Sequence, residues 1–377
     1  MKTLRLSAAL ILLIALCACQ RSTVLEDQSI LIALAYEVKE NNKFQVSGTF
    51  INAQPDSKNT SRTVSVEAET SKGARQKMNQ MLPNKLATGQ IRIILLDHDI
   101  FRLKMIQEIE VLSRDPFFSD LIKIAIVDGS PEELLNYKYE NHSNIAIALN
   151  DLLEHNVKTN WTPSMTLHDF TRSRGLNRTD LAIPLLKREE DEVVLKGLTL
   201  LNKDEIVGEA SPKEGFFIKT LKGADIPYLY ELNIKKEEMQ HSGMDHYLIQ
   251  DSNNVRVVFS VIKAKGKIKL VDKKNLKFDT SIDMDIDIQE VSKRYKFIEP
   301  GAIDALKKQI HYEVNKEFQE FLNKLRRLNS DCVGFGEIYR SRVGNSDMIE
   351  ENWSKMFPET TLHGQVNVGV IRTGIIE

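Results

Sequence analysis

Titratable and nucleophilic side chains are plentiful in this chain of 377 residues, yet their spacing assembles no familiar chemistry. Its eight histidines, His98, His142, His155, His168, His241, His246, His311 and His363, stand apart from one another. They form no two-histidine helical motif and join no cluster of cysteines, so no zinc site is legible. Asp97-His98-Asp99 has the residue types of an acid–base group, but short polar residues at the end of an apolar strand are turn and cap formers, and that reading is preferred. Asp283, Asp285 and Asp287 invite a metal reading. A strand spaces alternate residues about 6.6 Å apart in a row, which makes no cage around one ion. There is no Gly-x-Ser-x-Gly elbow, phosphate loop or dinucleotide fingerprint; Gly334-Phe335-Gly336 lacks the third glycine and follows a helical pattern rather than a strand. No catalytic residue, cofactor or metal is therefore expected.

The cysteines are more informative. Lys2 and Arg5 precede an apolar run from Leu6 to Leu16, the order of a secretory signal. That run is too short to span a bilayer, which takes about 20 apolar residues in a helix. It ends in Leu16-Cys17-Ala18-Cys19, which resembles the lipobox of lipoprotein signals. Cys19 is the expected lipidated residue, because choosing Cys17 would put bulky Leu16 at the cleavage site. A diacylglycerol thioether supplies two acyl chains, enough for stable anchoring where one is marginal. Cys332 then stands alone, so no intrachain disulfide forms, and it reads as a buried small apolar residue. Lysine plus arginine, 51, nearly balance aspartate plus glutamate, 53. Without a strong overall field, nucleic acid is not an expected partner.

These residues must be held by a body long enough for two or three domains. Strands are expected at Ile30 to Val38, Phe44 to Ala53 and Thr63 to Glu69, followed by a helix capped by Ser71 and running to about Leu82. An apolar strand at Ile91 to Leu96, a helix from about Ile100 to Ser113 and a second buried strand at Leu121 to Val127 suggest a parallel pairing of the two strands. Pro131 suits a first helical position, and helices at about Asn144 to Glu154 and Thr166 to Ser173 complete a domain near residue 180. A β-rich region follows at Ala182 to Lys187, Val193 to Leu201 and Glu205 to Glu209, then Ser211-Pro212-Lys213-Glu214, a capping box opening a helix that ends at Gly223.

Further on, Lys263, Lys265, Lys267 and Lys269 alternate with small or apolar residues, and Phe278, Thr280, Ile282, Met284, Ile286 and Ile288 alternate with polar ones. Two long antiparallel strands follow from this pattern. Pairing Leu270 with Leu276 would set Lys267 opposite Asp279 and Lys263 opposite Asp283. A stripe of Ile303, Leu306, Ile310, Val314, Phe318, Phe321, Leu325 and Leu328 then predicts a helix of about 28 residues from Gly301 to Asn329, about 42 Å long, which crosses the sheet. The expected class is α+β: a signal at 1–18 and three mixed α/β domains at 19–180, 181–250 and 251–377, each a sheet with packed helices, the last with long antiparallel strands crossed by a long helix.

Beyond Asn329 the sequence is distinctive. Asp331-Cys332-Val333-Gly334-Phe335-Gly336-Glu337-Ile338-Tyr339-Arg340, then Trp353, Phe357-Pro358 and Val370-Ile371-Arg372-Thr373-Gly374, resemble the C-terminal signature of the Ger(x)C family, the C subunits of spore nutrient germinant receptors. Cys332 stands where that family often has proline. The lipobox, early paired strands, the strand at Ile91 to Leu96, Gly197-Leu198 and the long helix occur in family order. The resemblance implies a noncatalytic lipoprotein on the outer face of the spore inner membrane. It would act beside integral-membrane A and B subunits that respond to nutrients, with Cys19 as the lipid site. Asp331, Gly334, Gly336, Arg340, Trp353, Arg372 and Gly374 are then its structural or interaction motif: the glycines for a tight backbone, Arg340 as a partner for Asp331 or carbonyls, and Trp353 as an anchor for a neighbour. The alternatives are a lipoprotein that itself captures nutrient, and an envelope hydrolase, for which no nucleophile and base are visible.

Overall fold

The computed structural model describes residues 28–39, 43–51, 61–176, 179–224, 227–249, 253–343 and 352–373. The expected signal, Cys19 and Gly374 lie outside them.

The first sheet is built from β1 (Gln28–Lys39), β2 (Lys43–Ile51), β3 (Ser61–Ala68), β4 (Lys85–Ala87), β5 (Ile93–Leu96), β6 (Lys123–Val127), β7 (Ala182–Glu189), β8 (Glu192–Asn202) and β9 (Glu205–Ala210). Its order is β3-β2-β1-β5-β6-β7-β8-β9, with β4 against the start of β1. β1, β5, β6 and β7 run parallel, as expected for β5 and β6, with Ile93 paired to Lys123. The central residues of these strands are apolar because both faces are covered there. Leu34, Tyr36, Ile94 and Ile124 point into a core shared with α1 (Ser71–Met81). Ala33, Ala35, Ile93 and Leu95 point into another, shared with α2 (Pro131–Asn136) and α3 (Ile145–Lys158). Thr70, not Ser71, caps α1, and α4 (Leu167–Leu176) follows α3.

The single helix expected at Ile100 to Ser113 is instead split into two short pieces, Asp99–Arg102 and Gln107–Glu110, the second running straight into a 3₁₀ turn at Val111–Arg114. Lys104, at φ +56°, breaks the run. Ile106, Ile109 and Leu112 are still buried, whereas Leu103 is exposed. The helical apolar spacing marks the covered side after Lys104 but not before it, where the interruption leaves Leu103 outside.

The second sheet has the order β10 (Tyr228–Lys235), β11 (Asn254–Asp272), β12 (Lys277–Val291), β13 (Thr361–Thr373). Strands of 181–250 are therefore shared between the sheets, β7 to β9 extending the first and β10 edging the second. The α+β class and the long antiparallel pair crossed by a long helix stand as expected. The register of that pair does not. Lys269 lies opposite Asp279, Lys265 opposite Asp283 and Lys263 opposite Asp285, two residues from the expected alignment. Asp272 explains the slip: its carboxylate accepts the Lys274 and Asn275 amides and the Asn275 side chain, folding a turn that ends at Leu276 with φ +50°. A slip of two preserves the faces, because side chains alternate with period two.

α5 (Pro212–Leu221) begins with the expected Ser211–Glu214 capping box and places Phe216 and Phe217 in the second core. Its carboxyl end lies so close to β11 that a Cβ on Gly266 would stand 2.4 Å from the Thr220 carbonyl oxygen. α6 (Ala302–Leu328) fills the other side of that core with Leu306, Ile310, Val314, Phe318, Phe321 and Leu325. Ile303, expected in this stripe, is largely exposed. β12 and β13 run parallel, and α6 with α7 (Phe335–Val343) forms the crossover such a pair requires.

Candidate functional site

The residues from 329 to 336 make a sharp corner where α6 stops and α7 starts. Asn329, at φ +53°, ends α6 and donates its side-chain amide to the Ser354 carbonyl at 2.8 Å. The next residues fasten the second sheet to the first. Ser330 Oγ donates to the Leu201 carbonyl at 2.6 Å, and the Asp331 amide donates to Asp180 Oδ2 at 2.7 Å. In return the Asp180 amide donates to the Asp331 carbonyl at 3.1 Å, while Asp180 Oδ1 accepts the Lys203 amide at 2.7 Å.

The Asp331 side chain is fully enclosed and receives four N–H groups. Oδ1 accepts the Gly334 and Phe335 amides, both at 2.8 Å; Oδ2 accepts the Gly336 amide at 2.7 Å and Trp353 Nε1 at 2.8 Å. An acceptor-only group among donors at the start of α7 suits an ionised carboxylate, which the helix dipole also favours. Burial opposes this and pushes the Asp331 carboxyl up to about 7, with the nearby Asp180 charge adding to the rise. Asp180 is itself pushed up by burial. The four donors are backbone amides and an indole rather than the Arg340 guanidinium expected as a partner.

The motif's glycines are explained by this geometry. Gly334 has φ +101°, which glycine adopts without strain. Gly336 lies flat on the Trp353 indole, where a Cβ would fall 2.7 Å from Nε1. Trp353 packs within its own chain, stacked on Tyr339 at 5.6 Å and near Phe357 and Phe278, so it is not the outward anchor read from the sequence. Its indole needs a polar partner when buried, and Asp331 supplies it. Arg340 sits half-buried on α7, and Arg372 is exposed near the end of β13, level with Asp287. Cys332 is buried, with its thiol pushed up to about 12 by burial. Asp97 accepts the Val38 and Asp99 amides, the turn-forming role expected of it.

Asp180 was missed. It lies 151 residues from its partner and carries no local signal. β13 was also missed, although Leu362, Val366 and Val368 alternate with exposed residues there. The corner as a whole is a structural clasp. Its carboxylates are occupied by donors, and its thiol is buried and held protonated. Among the described residues no three histidine, cysteine or acidic groups are placed to hold a metal ion.

Two family descriptions cover the chain in succession: "Spore germination protein N-terminal domain" at residues 21–188 and "Spore germination B3/GerAC like, C-terminal" at 196–374. The chain belongs to the Ger(x)C family. Spore germination protein GerQC of Bacillus cereus is 23% identical over 371 residues, 98% of each chain. Spore germination protein KC of Bacillus subtilis (strain 168) is 26% identical over 90 residues, 23% of this chain and 22% of that one. The crystal structure of the GerBC protein superposes with a TM-score of 0.57 at 14% identity, covering 90% of this chain and 96% of the other, and shows the same fold. The clasp falls within the C-terminal Ger(x)C region, while Asp180 belongs to the N-terminal one, so the contact joins the two family domains.

Proposed function

We propose that this chain is the noncatalytic C subunit of a spore germinant receptor. Diacylglycerol at Cys19 holds it on the outer face of the spore inner membrane, where it works with integral-membrane A and B subunits in nutrient-triggered germination. The observation that carries this reading is the match to a spore germination protein over 98% of both chains, reinforced by the two family domains in succession. The leader agrees with it: a basic start, a short apolar run and Ala18 before Cys19. No helix among the described residues is long and apolar enough to cross a membrane. In this reading the clasp fixes the angle between the two sheets and hence the surface offered to the membrane subunits. Arg340 and Arg372 belong to that surface. Cys19→Ala should leave a folded chain that fractionates away from spore membranes; unchanged membrane retention would refute the anchor.

One observation favours capture of nutrient as a second reading. A cleft of about 600 Å³ opens beside the clasp, lined by Arg172, Lys222, Lys267 and Glu337 with Asp180 at its wall. Arg172, Lys222, Lys267 and Glu337 make no ion pair among the described residues, and charges of both signs suit a small zwitterion. Calorimetric titration of the Cys19→Ala chain with nutrient amino acids tests this, and absence of heat across them would remove it.

A further inference from the structure

We infer that the amino-terminal edge of the first sheet docks into the headgroup region of an anionic bilayer, which gives the tethered body a fixed orientation. The inference rests on the lipid anchor proposed above.

Parallel topology gathers the edge. Ala33, Ile93 and Lys123 share one level of the sheet, so the start of β1 and the approach to β6 leave the sheet at the same end. β4 lies there too, with Lys85 beside Gln28. Eight residues lie between Cys19 and Gln28, and the nine steps from one to the other reach at most about 30 Å. A lipid on Cys19 therefore holds this end of the sheet within about 30 Å of the membrane.

The residues placed at that end are unusual for a solvated surface. Phe117 is 69% exposed, Leu121 77% and Met81, the last residue of α1, 53%. Phe117 and Leu121 lie on two consecutive tight turns, closed by the Phe118 amide on the Asp115 carbonyl and the Ile122 amide on the Ser119 carbonyl. The His168 amide bonds the Asp120 carbonyl, so the loop is pinned from a second segment. Its apolar tips are thus displayed by a rigid frame. Lys85, Arg92 and Arg114 flank them, exposed and without ion pairs among the described residues. Asp115 is neutralised by Arg75 at 2.7 Å, which leaves Asp120 as the loop's one uncompensated acid. Exposed aromatic and aliphatic tips ringed by basic side chains match an anionic interface, the apolar groups entering below the headgroups and the cations among them.

The test uses the lipidated full-length protein in vesicles of phosphatidylethanolamine and phosphatidylglycerol. Phe117→Cys and, separately, Leu121→Cys carry an environment-sensitive fluorophore, with Glu133→Cys at the opposite end of β6 as the reference. Lipids brominated along the acyl chain should quench the labels at 117 and 121 several-fold more than the label at 133. Equal, weak quenching at all three sites, in protein that mass spectrometry shows to be lipidated and vesicle-bound, overturns the docking and leaves the anchor intact. Absence of the lipid mass overturns both. Labels that stay in water in vesicles but are shielded in spore membranes assign the edge to a protein partner and overturn the lipid reading.

Discussion

Replacing Gly336 by alanine sets a methyl group against the Trp353 indole. The added Cβ would stand 2.7 Å from Nε1 and 2.9 Å from both Cδ1 and Cε2. The ring cannot swing aside as a flexible chain end would, because Tyr339, Phe357 and Phe278 surround it. Any shift that relieves the clash also lengthens the 2.8 Å bond from Nε1 to Asp331 Oδ2. Overpacking of this kind costs about 1–3 kcal/mol. Losing a donor to a buried carboxylate costs about 1.5–3 kcal/mol more. Since one movement partly serves both, Gly336→Ala should destabilise the chain by about 2–5 kcal/mol. Urea denaturation of the Cys19→Ala chain would show this as a lower midpoint at unchanged slope. Gly89→Ala is the control, because a Cβ there meets nothing within 4 Å. Combining Gly336→Ala with Trp353→Phe should cost less than the sum of the two, since both act through one contact. A Gly336→Ala midpoint equal to that of the parent chain would refute the close packing of backbone on indole.

Other consequences concern the same corner. Asp331→Asn sets an amide N–H₂ against N–H donors and should cost about 2–4 kcal/mol by leaving buried donors unsatisfied. Its pH dependence has a definite sign: because burial raises the Asp331 carboxyl to about 7, folding takes up a proton, and that part of the stability is lost as pH rises from about 4 through 7. The stability gap between the parent and D331N, measured by urea at pH 5 and pH 8, should therefore be smaller at pH 8. Cys332 should resist maleimide in a native chain in which Cys17 and Cys19 are both alanine, and react on unfolding, as its burial and its thiol, pushed up to about 12, require. Rapid native labelling would show that the corner opens.

Much of the fold was legible because its signals are local. The capping box at Ser211, the alternation in β12 and the stripe on α6 each lie within one segment. The parallel pairing of β5 with β6 followed from short apolar strands separated by helical spacing. Boundaries between units were harder, since β7 to β9 resemble a separate β-rich region until β7 is seen to pair with β6. The slip between β11 and β12 turned on three hydrogen bonds to Asp272, which hydrophobic alternation does not encode. The clasp divides in the same way. The motif residues at 331, 334 and 336 were picked out by their resemblance to the family signature, but Trp353 was read as outward-facing because only the folded chain shows Asp331 under its indole. Asp180 had no signal, being an isolated acid far along the chain.

The most direct test of the receptor assignment is germination by spores that lack this gene and its paralogues. Restoring the parent gene should return the fall in optical density in response to at least one nutrient, and the Cys19→Ala form should restore it poorly. Spores without the gene that germinate normally on every nutrient would contradict the assignment.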